Sequence, residues 1–192
     1  MDRLAAWWRA HRSTYIACLA MGFFLLFGLL LRIDAYNDDL GREADGGFGW
    51  GPVGRPFADW LYRLINSGAP TTGMAPLGVI LAIAILALAA TLMAATFRCR
   101  RPLGAALASA GLFAQPYALA NLSFQFDAPL MATAMLLAVA AAWQGFSRPG
   151  LHGRTLLPQA GLLAVSLGIY QAAFGAFWVV GLAGAAQRVW LR

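Results

Sequence analysis

The chain carries 192 residues, of which 60% are hydrophobic and 11% charged, with a formal net charge of +6. So few polar side chains cannot coat a soluble globule, and lipid must supply part of the solvent. A basic excess in a soluble protein would point to nucleic acid. Here the arginines fall in short tracts between apolar runs, the pattern of membrane topology, and no nucleic-acid partner is expected.

Residues 1–12 form a basic, aromatic leader to a first apolar run at 13–31. The run is longer than the hydrophobic region of a signal peptide and no small-residue cleavage site follows it, so it predicts an uncleaved membrane helix. Cys18 lies inside this run and Cys99 in an arginine cluster, positions that give neither a disulfide framework nor a metal site. The polar segment 34–76 comes next. Its glycine-rich stretch 46–54 lacks the strand-to-helix setting of a nucleotide fingerprint and is a candidate hinge or lid. Behind it, residues 55–65 place Phe57, Trp60, Leu61, Leu64 and Ile65 at the spacing of an amphipathic helix, with Pro56 suited to the first turn. Such a helix lies in the interface plane, with its aromatic side in lipid headgroups and Arg55, Asp59 and Arg63 turned toward water or a cavity.

Further spans are predicted at 77–97, 103–120 and 128–146, the first two joined by the tight basic turn of Arg98, Arg100, Arg101 and Pro102. Gln115 before Pro116 marks a kink site. After a polar connection at 147–154, the final apolar stretch holds 33 uncharged residues, which as one helix would reach roughly 50 Å against a hydrocarbon core of about 30 Å. A turn at Tyr170 and Gln171 divides it into spans at 155–170 and 172–187. The expected fold class is an all-α polytopic membrane protein, one transmembrane domain of about six helices with an interfacial amphipathic helix in the first outer loop.

Placing the N-terminus in the cytoplasm puts Arg3, Arg9, Arg12, Arg98, Arg100, Arg101, Arg148, Arg154, Arg188 and Arg192 inside, as the positive-inside rule requires. Arg32, Arg42, Arg55 and Arg63 fall outside. The outer face then collects Asp34, Asp38, Asp39, Glu43, Asp45, Asp59 and Asp127, leaving Asp2 as the only acidic residue inside. Polar loops carry charge in any case, which accounts for much of this. It accounts less well for Asp127, in a very short loop at the mouth of a helix, because charges at membrane edges are costly unless solvated, paired or functional.

Four separated motifs carry a resemblance. The first helix ends in Asp34-Ala-Tyr-Asn-Asp38-Asp39-Leu-Gly-Arg42, and Gly54-Arg55-Pro56 opens a helix with Asp59-Trp-Leu-Tyr62. Later come Ser123-Phe-Gln-Phe-Asp127-Ala-Pro-Leu-Met131 and Leu167-Gly-Ile-Tyr170-Gln171-Ala. Their order, from about residue 14 to 186, resembles the membrane glucosyltransferases of the Gtr type II family, which modify O-antigen and belong to the polytopic GT-C-like transferases that use polyprenyl-phosphate sugars. Members of that family are as a rule much longer, so this chain corresponds to an N-terminal portion. The resemblance implies transfer of a hexose, glucose by analogy, from a polyprenyl-phosphate donor to a cell-surface polysaccharide acceptor. It also implies a bacterial inner membrane with the active face toward the periplasm.

Such transfer requires a base for the acceptor hydroxyl and donors to stabilise the departing phosphate. Asp38 and Asp39 are the candidate base; adjacent carboxylates repel, which raises the pKa of one, and the sequence does not choose between them. Arg42 and Arg55 are candidates for the donor phosphate, because a guanidinium engages phosphate oxygens through paired hydrogen bonds. Asp59, Asp127, Tyr170 and Gln171 complete the candidate site as sugar contacts or supports for the arginines, although capping and interfacial anchoring would use the same residues. His11 and His152 map to the cytoplasmic side, so no metal, cofactor or histidine-activated nucleophile is expected. The competing readings are a non-catalytic component, such as a lipid-sugar translocase subunit or small transporter, and an inactive fragment. A transport path would place ionisable groups within the spans, and none lies clearly mid-helix.

Overall fold

The structure, a computed structural model, describes residues 2–31, 36, 38–47, 49–70, 73–147 and 153–190, without the side chains of 2, 3, 65 and 153–155. Asp34, Arg32, Arg148, His152 and Arg192, all assigned to loops or ends above, lie outside the described residues. Among the described residues there are ten α-helices and no strand. They are α1 (Asp2–Leu25), α2 (Phe27–Leu30), α3 (Asp38–Asp45), α4 (Pro56–Ile65), α5 (Leu77–Thr96), α6 (Pro102–Ala114), α7 (Pro116–Leu122), α8 (Asp127–Ser147), α9 (Gly153–Ile169) and α10 (Phe174–Trp190).

Leu77–Thr96, Asp127–Ser147 and Gln171–Trp190 are long and apolar enough to cross a membrane, and α6 with α7 makes a fourth if that pair, bent by 68°, is one span. The bend falls at Gln115, whose extended backbone (φ −67°, ψ 144°) is what a following proline favours. Two expected spans are shaped differently. The first helix begins at Asp2 rather than at residue 13 and breaks at Leu26, and the apolar part of α9, Leu156–Ile169, is too short for a straight crossing.

Side-chain register fixes the helix directions. Gln159 Nε2 donates to Ala141 O at 3.0 Å and Ser166 Oγ to Ala134 O at 2.8 Å, so α9 runs antiparallel to α8. The chain then reverses, as the overlong apolar stretch predicts: Tyr170 is extended (φ −157°, ψ 106°), a 3-10 turn spans Gln171–Ala173, and α10 returns alongside α8. That return brings Gly184 against the Phe146 ring and Arg188 to Phe146 O. In the same way Gly22 of α1 abuts Ile83 of α5 and Phe113 of α6, and Gly78, at the start of α5, lies against the carbonyl of Gln125 just ahead of α8.

Helices α1, α6–α7 and α9 therefore run toward one end of the bundle, and α5, α8 and α10 run away from it. The first end carries α3, α4, Asp127 and Tyr170, and is called the acidic end below. The opposite end carries Arg98, Arg100 and Arg101, where Arg98 takes a left-handed conformation (φ 54°) and Cys99 N–H bonds back to Ala94 O, closing α5 before Pro102 opens α6.

Candidate functional site

The acidic end is assembled around Asp127, the first residue of α8, where a carboxylate also meets the positive end of the helix dipole. Its Oδ1 accepts from Trp50 Nε1 at 2.7 Å and from Arg55 Nη1 at 3.2 Å, and its Oδ2 lies 3.7 Å from Arg42 Nη2. Both guanidiniums also stack on aromatic rings: Arg42 Cζ is 4.0 Å from the Trp50 ring centroid and Arg55 Cζ is 4.7 Å from that of Tyr170. One carboxylate between two arginines leaves this trio with one positive charge in excess. Arginine suits such a place because its planar guanidinium carries five N–H donors and engages more than one oxyanion at once.

The supports come from elements far apart in sequence. Asp59, in the first turn of α4, accepts from Trp50 N–H at 3.0 Å and Gly51 N–H at 2.5 Å, so it holds the glycine-rich connector rather than facing the arginines. The connector ends at Gly54, whose φ of 81° suits glycine, and the Gly54 carbonyl accepts from Gln171 Nε2 at 2.6 Å. Asn121 Nδ2 donates to the Tyr170 hydroxyl at 3.3 Å. Beneath Trp50, Tyr62 packs 5.0 Å away and donates to the sulfur of Met74. Burial, with the charges of Asp39 and Asp127, pushes the Tyr62 hydroxyl above its usual range, so it remains a protonated donor.

The paired aspartates separate on α3. Asp39 is fully buried: its Oδ2 accepts from Gln125 N–H at 2.8 Å, and its Oδ1 has no well-formed hydrogen bond. Burial pushes its carboxyl above the usual carboxylate range; the Gln125 N–H, helped by backbone at Phe126 and Tyr36, works the other way, and the charge of Asp127 adds to the rise. Asp38 is exposed and lies one helical turn before Arg42, on the same side of α3.

Gln125 was not singled out by the sequence, yet it joins three segments. Its Oε1 accepts from Met74 N–H and Ala75 N–H, each at 2.8 Å, and its Nε2 donates to Glu43 Oε1 at 2.5 Å. Trp50 was also missed, as one aromatic in a run read as a hinge. The only available signal for Gln125 was an amide inside the short Ser123–Met131 motif.

Beside the charged cluster, an apolar cleft of about 430 Å³ lies between α4, α8 and α9, lined by Phe57, Trp60, Thr133, Leu137, Val165 and Ile169. Pro56 and Ile169 on its wall adjoin Arg55 and Tyr170 in sequence, which brings the cleft close to that pair. Its one hydroxyl, on Thr133, is bonded to Pro129 O at 2.7 Å. As the amphipathic pattern predicts, α4 buries Ala58 and Tyr62 and leaves Trp60 and Leu64 exposed. Among the described residues, no group of three or more His, Cys, Asp or Glu side chains is placed to hold a metal ion.

These features define a helical membrane protein with an aromatic-lined site, two arginines about one buried carboxylate, at one end of its bundle. The family model for glucosyl transferase GtrII matches residues 26–190, and the chain belongs to that family. A relative from Salmonella phage P22, described as an uncharacterized 55.3 kDa protein in the gtrB 5' region, is 28% identical over 165 residues. That match covers 86% of this chain and 33% of the phage protein, so the chain spans about a third of its relative's length. No solved structure matches.

Proposed function

We propose that this chain forms the donor site of a glycosyltransferase that moves a hexose, glucose by family, from a polyprenyl-phosphate carrier to a polysaccharide such as O-antigen. The observation that carries this reading is the pair of guanidiniums, Arg42 and Arg55, held on either side of Asp127, with an apolar cleft whose wall begins at Pro56, next to Arg55. In this arrangement the carrier chain lies in the cleft and its phosphate meets the guanidiniums of Arg42 and Arg55. Asp38, exposed and one turn from Arg42, takes the proton of the acceptor hydroxyl. The acceptor oxygen then bonds to the anomeric carbon, the carbon–oxygen bond to phosphate breaks, and the polyprenyl phosphate departs into the charge of the arginines. Asp39 and Gln125 position α3, Asp59 holds the connector, and Tyr170 and Gln171 carry Arg55 and the Gly54 turn. The reaction so drawn uses no metal or cofactor. The helices cross the inner membrane six times with the N-terminus in the cytoplasm and the acidic end toward the periplasm, where the arginine asymmetry is satisfied.

A transport reading has less support. The polar side chains Thr91, Ser109 and Ser166 within the bundle donate to backbone carbonyls at 2.7 to 2.8 Å, so these three do not line up as unpaired groups along the axis.

The test is transfer of labelled glucose from polyprenyl-phosphate glucose to lipopolysaccharide in membranes holding this chain or its variants at equal levels. Asp38→Asn is expected to abolish transfer and Asp39→Asn to retain part of it, because an amide oxygen can still accept from Gln125 N–H. Parent-level transfer by Asp38→Asn removes the assigned base, and absence of transfer by the parent chain removes the enzymatic reading for this chain alone.

A further inference from the structure

The arginine end contains a second cleft, of about 390 Å³, between α5 and α6. It exists because the facing positions are small: Ala90 and Ala94 on one helix, Ala105, Ala108 and Gly111 on the other. Its volume lies in the range of about 300–1,000 Å³ typical of ligand sites. The hydroxyl of Ser109 on its wall is already bonded to Ala106 O at 2.7 Å, so the lining asks for an apolar occupant. Its mouth is different. Phe97 and Cys99 open onto the turn that carries Arg98, Arg100 and Arg101, all exposed, and among the described residues none of the three is ion-paired. Beside it, Leu103 and Leu107 of α6 are 68% and 61% exposed, which marks this flank as facing lipid.

We propose that this cleft binds an anionic phospholipid, with one acyl chain between α5 and α6 and the phosphate against Arg98, Arg100 and Arg101. Apolar wall and cationic rim match the two halves of such a molecule, and basic pockets between membrane helices on the cytoplasmic side are suited to anionic headgroups. A zwitterionic lipid would fill the same wall but bring no net charge to the rim. The proposal rests on the chain's membrane placement and is independent of the transferase reading, because the site lies at the opposite end of the bundle.

The experiment is native mass spectrometry of the full chain released from micelles containing equal amounts of dioleoyl phosphatidylglycerol and dioleoyl phosphatidylcholine. The parent is expected to retain phosphatidylglycerol preferentially. Arg98→Gln, Arg100→Gln and Arg101→Gln should each weaken that retention about fivefold at low salt, with unfolding midpoints unchanged because the side chains are exposed. Ala108→Phe, which fills the cleft, should remove the bound lipid while leaving the arginines in place. Equal retention of the two lipids by the parent overturns the proposal. So does parent-like retention by the triple arginine variant, or by an Ala108→Phe protein with a parent-like far-ultraviolet spectrum.

Discussion

Arg55 and Arg101 lie at opposite ends of one bundle, and the surroundings of each show what its charge is for. At the acidic end, Arg55 and Arg42 share a carboxylate that is 7% exposed and stack on aromatic rings drawn from two other segments. At the other end, Arg98, Arg100 and Arg101 project from a tight turn with no carboxylate beside them among the described residues. Exposed arginines cost little and satisfy topology. A charged cluster taken from water needs several partners at once, and Arg42, Trp50 and Arg55 converge on Asp127 to supply them, with Tyr170 stacked on Arg55. The contrast predicts that substitutions among the buried residues around Asp127 disturb fold and activity together, whereas those at the arginine end alter lipid association alone.

The largest effect is expected at Asp127. Asp127→Ala leaves Trp50 Nε1–H and two guanidiniums without their shared acceptor, and removing one partner of a buried pair costs about 3–5 kcal/mol. A urea unfolding midpoint in micelles measures this, and a parent-like midpoint would erase the contrast between the ends. Gln125→Ala comes next. It strands the N–H groups of Met74 and Ala75 and takes the amide donor from the Glu43 carboxylate, at a cost of about 1–3 kcal/mol.

Asp39→Asn should act through pH. Burial raises the folded carboxyl above its unfolded value, so the folded state holds the proton more tightly. Its stabilising contribution is full at low pH and is lost as pH rises through the folded value. The variant, which cannot ionise, should therefore gain on the parent as pH rises above the unfolded carboxyl value of about 4, and a constant gap in midpoint would show that Asp39 does not titrate abnormally. Smallest is Trp60→Ser on exposed α4: stability should change by no more than about 0.5 kcal/mol, while chain binding at the cleft weakens, as read by retention of undecaprenyl phosphate.

Much of the scaffold was legible because lipid imposes simple rules. An apolar stretch too long for one crossing must turn, and it does so at Tyr170; a proline after Gln115 must bend its helix, and it does. The amphipathic period of α4 was legible for the same reason. Helix α3 was not, since its eight residues carry one large apolar side chain, Leu40, and no period. The difference between Asp38 and Asp39 was equally out of reach: neighbours on a helix point about 100° apart, and which one is buried depends on where Gln125 arrives from a remote loop. Asp59 entered the candidate site as a sugar contact or a support for the arginines. The backbone N–H groups of the connector claim it instead.

The most direct test of the acidic end as a donor site is binding of undecaprenyl phosphate to the chain reconstituted in phosphatidylglycerol vesicles, where excess anionic phospholipid occupies the arginine-end cleft, with Arg55→Gln compared against Arg101→Gln. The account predicts a loss of about tenfold or more for Arg55→Gln, the size expected of a charge-assisted pair worth about 1.5–3 kcal/mol, and parent-like binding for Arg101→Gln. Equal binding by both variants and the parent would contradict it.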